Sequence, residues 1–119
     1  MAVAQLVRRF HDLTMGTRLA GDEEVVCHND LSPKNTVYRD LGHGLRPIAF
    51  IDWDIAAPGA RIHDVAHVCW QFVGLGPDTD VTEAGRLIRA VADGYDRNRG
   101  PELSAGFACH PPLRPSRDD

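Results

Sequence analysis

A mixed α/β domain, of the α+β kind, is the fold class that this 119-residue sequence predicts. Three observations predict it. Apolar residues recur at helical spacing near the start and again after position 80, short β-branched runs lie between, and glycine or proline marks most junctions. With 43% hydrophobic and 25% charged residues the composition suits a globular domain, and the length allows one domain at most.

The first element is a helix in "VAQLVRRFHDL". Val3, Leu6, Val7, Phe10 and Leu13 fall on one face, Arg8 and Arg9 are assigned to the other, and the helix ends near Gly16. A polar loop, "TRLAGDEE", leads into the run "VVC". "TVYRD" and "RPIAFI" are β-rich and separated by "LGHG", which reads as a β-hairpin. "IHDVAHVCWQFVGL" is apolar around its circumference and is expected as a buried helix, broken by Gly76 and Pro77. A last helix follows, with Asp80 as cap, Glu83 at capping-box spacing, and a stripe of Ala84, Leu87, Ile88, Val91, Ala92 and Tyr95. From about Asn98 periodicity stops and four of the eight prolines collect, so residues 1–97 are expected to form the domain and 98–119 a disordered tail. The apolar stripe before that tail has nothing downstream to cover it, which suggests a chain cut short or an end read out of frame.

Several classes are disfavoured. No apolar run approaches the roughly 20 residues of a membrane helix, and the arginines near the start lie inside the apolar pattern, unlike a secretory signal; the protein is read as cytoplasmic, with no membrane partner. A net charge of -4 offers no basic excess for nucleic acid. Cys27, Cys69 and Cys109 form no CxxC pair and are read as reduced, the first two buried.

The chemistry concentrates in "VVCHNDLSPKNTVY", where His28, Asp30, Lys34 and Asn35 crowd between apolar runs, followed beyond the hairpin by "IDWD". A polar turn would account for Asn, Asp, Ser and Pro taken singly. Phosphoryl transfer to a hydroxyl accounts for the ordered set: it needs a carboxylate to orient and deprotonate the acceptor, and oxygen ligands to hold magnesium against nucleotide phosphates. Asp30 suits the first task. Asn35 offers a neutral amide oxygen, and Asp52, at the end of a hairpin strand, an anionic one.

His28-x-Asp30-x-x-x-x-Asn35 with "IDWD", "IAAPG" and "IHDVAHVCWQF" resembles the aminoglycoside phosphotransferase and choline kinase-like family of small-molecule kinases, over roughly Val25 to Val73 and the helix "LVRRFHDL". Ser32 stands where protein kinases place a catalytic-loop lysine, and "DWD" replaces "DFG". The resemblance implies part of a protein-kinase-like C-lobe: helix, catalytic loop, β-hairpin, two helices. It implies Asp30 as catalytic base, Asn35 and Asp52 as ligands of Mg2+, and ATP or GTP as co-substrate, with Lys34 and Asn35 toward the nucleotide phosphates. His28 and Asp64 brace the loop, and Asp54 assists near the metal. The acceptor is a hydroxyl on a small molecule. Family members also carry an N-lobe whose lysine contacts the phosphates, and no glycine-rich strand-turn-strand precedes the loop here. The isolated chain is therefore expected to be weak or inactive. Alternatives are a non-catalytic remnant, or a subunit that needs a separate N-lobe chain. A further alternative is zinc at His63 and His67 of "HDVAH", although no third ligand lies at an expected spacing.

Overall fold

The computed structural model of the chain describes residues 1–96. The expected tail, 98–119, and Cys109 lie outside them. Helix α1, Ala2–Thr14, opens the chain and buries Val3, Ala4, Val7, Arg8 and His11. This corrects the expected face: Arg8 is 1% exposed, while Leu13 is 78% exposed. Arg8 is tolerated inside because its charge is met there. Its Nε lies 2.9 Å from Asp12, Nη1 is 3.8 Å from Asp96, and the guanidinium sits 4.8 Å over the Tyr95 ring.

Two small antiparallel sheets follow. Strand β1, Val25–Cys27, precedes the polar loop; β2, Thr36–Asp40, and β3, Leu45–Phe50, form the expected hairpin; β4 is Ala57–Gly59. The hairpin runs from Thr36↔Phe50 to Asp40↔Leu45, and its turn uses Gly42 and Gly44 at φ +95°. Its ladder shifts register between Val37 and Tyr38, where Pro47 on the facing strand has no N–H to give. The second sheet pairs β1 with β4, Val26 facing Pro58. No strand is expected at "APG" from the residues alone, since three residues with a central proline carry no alternation.

Helix α2, Arg61–Gln71, buries only Asp64, Val68 and Cys69. It was expected to be buried all round, yet Ile62 and Trp70 are 62% and 61% exposed. It packs on α1, β1 and α3, Val81–Asp96, and leaves Ile62 and Trp70 uncovered. The Glu83 amide donates to Asp80 at 3.2 Å as the cap predicts, but the Glu83 carboxylate turns to Arg86, so the reciprocal half of the capping box is not made. The far end of α3 crosses α1 closely at Gly94, where a Cβ would lie 2.6 Å from the Met1 carbonyl oxygen.

One core joins these elements: Val3, Ala4 and Val7 of α1, Phe50 of β3, Val68 and Cys69 of α2, Val91 and Tyr95 of α3, and Leu31 of the polar loop. Leu31 matters for the site. Its full burial, worth roughly 1.5–3 kcal/mol, anchors the loop between the two residues that flank it, Asp30 and Ser32. Cys27 and Cys69 are free thiols and buried. No helix among the described residues is long and apolar enough to cross a membrane.

Candidate functional site

Beyond Leu31 the chain runs extended through Ser32 and closes a short 3-10 turn, Pro33–Asn35. Pro33 suits the first position of that turn because its missing N–H would have no partner there. The turn brings the Asn35 side chain back to Asp30: Nδ2 donates to the Asp30 carbonyl at 2.9 Å and to its carboxylate at 3.1 Å. Oδ1 of Asn35 is thereby left as the atom able to face a cation. The Ile51 amide donates to the Asn35 carbonyl at 2.9 Å, which draws the end of β3 against the loop.

His28 completes that clamp. It is fully buried, its Nε2–H donates to the Ile51 carbonyl at 2.8 Å, and its Nδ1 accepts the Asp30 amide at 3.1 Å. These two bonds fix a neutral ring with the proton on Nε2. Residues 28, 30, 35 and 51 are thus tied by hydrogen bonds, and Asp52 is the next residue along. Asn29 and Asp52, at φ +72° and +60°, are the non-glycine residues with positive φ among those described. Asn and Asp are the side chains that tolerate this conformation best. The Asn29 side chain also donates to the Ile55 carbonyl at 3.0 Å, lacing the loop to the segment that carries Asp52 and Asp54.

Beneath the loop lies Asp64, fully buried on α2. One of its oxygens, Oδ2, accepts the His28 amide and His11 Nε2, each at 2.8 Å, and Oδ1 accepts the Asn29 amide at 3.0 Å. Burial pushes this carboxyl up, but those donors outweigh it and hold it below the ordinary aspartate range. Burial pushes the His11 imidazole below its usual range, only partly opposed by Asp64. The pair is a neutral imidazole donating to a carboxylate. On the far side of the ring, His11 Nδ1 lies 2.8 Å from the Tyr95 hydroxyl, to which Arg61 donates at 2.8 Å. Burial, opposed by Arg61, pushes that hydroxyl up to about 12.

The structure therefore brings His28, Asp30 and Asn35 together directly, with Asp64 joined to them through backbone amides. Asp52 follows the clamped Ile51; Asp54 and Lys34, the sole lysine of the chain, are exposed nearby. A carboxylate and an amide oxygen are hard donors of the kind magnesium takes, so Asp52 and Asn35 fit such an ion. Ser32 Oγ is buried without a hydrogen-bond partner among the described residues. Cys27 donates to the Ala60 carbonyl at 3.2 Å, and burial pushes its thiol up to about 12, which disfavours the nucleophilic thiolate. His63 and His67 belong to no metal-holding group among the described residues. Within "HDVAH" it is Asp64 that turns inward to the loop. His11, Arg61 and Tyr95 were not foreseen as parts of the site. A signal existed for the first: Val3, Val7 and His11 share one helical row, so a polar side chain stood where the pattern asks for an apolar one.

Comparison with known proteins gives a consistent result. A family model described as "Phosphotransferase enzyme family" matches residues 2–101. The trifolitoxin immunity protein of Rhizobium leguminosarum bv. trifolii is 30% identical over 119 aligned positions, covering 79% of this chain. The chain spans 43% of the length of that relative. No solved structure matches.

Proposed function

Because the chain belongs to the phosphotransferase enzyme family, we propose that residues 28–54 form the phosphoryl-transfer edge of a protein-kinase-like C-lobe acting on a small-molecule hydroxyl. The observation that carries this reading is the pair of hydrogen bonds from the Asn35 side-chain amide to Asp30, with Ile51 clamped against both Asn35 and His28. It supports a base at Asp30 and a cation-facing amide oxygen at Asn35 on one edge, with Asp52 next along the chain from Ile51. In this reading Asp30 orients the acceptor hydroxyl and takes its proton as the oxygen bonds to the γ-phosphorus, and the bond to the leaving nucleoside diphosphate breaks. Asn35 and Asp52 hold Mg2+, which, when bound, neutralises phosphate charge on ATP or GTP. Lys34 reaches the phosphates, Asp54 assists near the metal, and His28 and Asp64 keep the loop in register.

The family lobe that grips the nucleotide is supplied, in this reading, by residues outside 1–96 or by another chain. Positioning and electrostatics account for most of the acceleration in this reaction class, so the chain alone is expected to be a weak catalyst or none. The immunity protein's name adds toxic compounds to aminoglycosides and choline as acceptors worth testing.

The first test is manganese, a paramagnetic substitute for magnesium, titrated into labelled protein. Broadening confined to amides around Asp30, Asn35 and Asp52, and abolished in Asp52→Asn, supports the reading; broadening elsewhere, or none, favours a non-catalytic remnant. The second is ATP and GTP turnover with the acceptor panel. Robust turnover by the chain alone that vanishes in Asp30→Ala would keep phosphotransfer and overturn the impairment.

A further inference from the structure

The chain of contacts running away from the loop ends on α3, and each link has a definite donor. Arg61 possesses donors only, so the bond from its Nη1 at 2.8 Å makes the Tyr95 oxygen an acceptor. The phenol then has one hydrogen to place, and His11 Nδ1 stands 2.8 Å away. An Nδ1 that accepts requires the imidazole proton on Nε2, and Nε2 is 2.8 Å from the Asp64 carboxylate. That carboxylate in turn takes the amides of His28 and Asn29. In the opposite tautomer a lone pair would face the carboxylate and the phenolic hydrogen would have no acceptor at His11. Of the two neutral tautomers only this one serves both contacts.

We propose that Tyr95 is a positioning residue for the loop: its hydroxyl, given to His11 Nδ1, fixes the ring that supports Asp64 and hence the backbone of His28 and Asn29. Four separate elements are joined by this relay, with Tyr95 on α3, His11 on α1, Asp64 on α2 and the amides at the start of the loop. Docking of the far end of α3 is thereby coupled to the geometry beside Asp30. That the loop so positioned performs phosphoryl transfer rests on the reading in the preceding subsection; the relay itself does not.

Tyr95→Phe removes the hydroxyl and keeps the ring that packs on His11 and under Arg8. In the full chain, the His28 and Asn29 amides should exchange about tenfold faster with solvent, the value of roughly one lost hydrogen bond. Manganese affinity at the Asn35–Asp52 edge should fall several-fold, while amides in the rest of α2 keep their protection. A general loss of packing would instead accelerate exchange throughout. Unchanged His28 and Asn29 amides in Tyr95→Phe overturn the proposal, as does uniform acceleration. Should the variant fold poorly, nitrogen spectra of the unmodified protein decide: a His11 proton found on Nδ1 sinks the relay, and one found on Nε2 with Nδ1 hydrogen-bonded upholds it. If manganese does not bind the unmodified protein at this edge, the phosphotransfer reading falls, and the exchange and tautomer measurements still judge Tyr95.

Discussion

The underside and the outer edge of the segment from His28 to Asn35 are built by opposite rules. Underneath, His28 and Asp64 are fully buried, and their ring nitrogens, amide and carboxylate oxygens have assigned partners at 2.8–3.1 Å. At the edge, Asp30 is half-buried and Lys34, Asp52 and Asp54 are exposed. The contrast teaches where rigidity comes from in a site made of loop. Charged groups that must meet an ion or a phosphate stay in contact with solvent, and neutral or fully satisfied groups behind them fix the backbone that carries them.

The severest way to break the contrast is to remove the carboxylate on which the underside converges. Asp64→Ala leaves two backbone amides and the His11 Nε2–H without their acceptor inside the protein, a loss on the scale of roughly 3–5 kcal/mol for uncompensated buried polar partners. A domain of this size holds only about 5–15 kcal/mol in total. Thermal unfolding should therefore become broad or shift far down. A variant that melts within a degree or two of the unmodified protein would show that the underside is not what holds the loop.

Acid should attack the same place in two stages. His11 is held below the ordinary histidine value of 6.5, chiefly by burial, so the unfolded chain binds the proton more readily than the folded one. Its contribution to stability is complete above about pH 6.5 and is lost as pH falls through the lower folded value. Asp64, also held below its ordinary 3.8, behaves alike one step further down: its contribution is present above that value and disappears as pH drops through the folded one. Denaturant midpoints should be flat from pH 7 to 8 and decline below about 6.5, steepening again under 3.8. A midpoint that rises on acidification from pH 7 to 5 would contradict the neutral-imidazole pair.

A smaller effect separates backbone strain from hydrogen bonding at Asn29. At φ +72° an alanine pays for its Cβ and also forfeits the bond to Ile55, so Asn29→Ala should cost about 1–2 kcal/mol. Asn29→Gly forfeits only the bond and relieves the strain, and should be milder by about 1 kcal/mol. Equal losses in chemical denaturation would mean that the left-handed backbone at this position carries no cost.

How much of this was legible beforehand follows the same division. The edge was readable because its members are close in sequence or carried by a hairpin whose turn chemistry is local: Asp30 and Asn35 are five apart, and "LGHG" set the return of the strand toward Asp52. Asp64 was reachable through resemblance. The rest of the underside was not, because His11 meets Asp64 across 53 positions and Tyr95 across 84, and no periodicity records such pairs. Arg8 shows the same limit: hydropathy places an arginine outside, and contacts with Asp12, Asp96 and the Tyr95 ring help to make its burial tolerable. The β1–β4 sheet escaped for a different reason, since a three-residue strand around Pro58 is defined by its partner alone.

The smallest expected change in stability is also the sharpest test of the outer edge. Asp52 sits at φ +60°, and asparagine tolerates that backbone as well as aspartate does, so Asp52→Asn alters the charge and little else. An exposed residue two positions beyond the end of β3 should then leave the melting curve within about 0.5 kcal/mol of the unmodified protein. Manganese binding should nevertheless be lost, because an amide oxygen replaces the anionic ligand and the only other proposed ligand, Asn35, is neutral. If Asp52→Asn instead destabilises the fold as severely as a change at Asp64, this carboxylate belongs to the supporting structure and not to the edge. The division between the two faces would then have to be redrawn with Asp52 on the inner side.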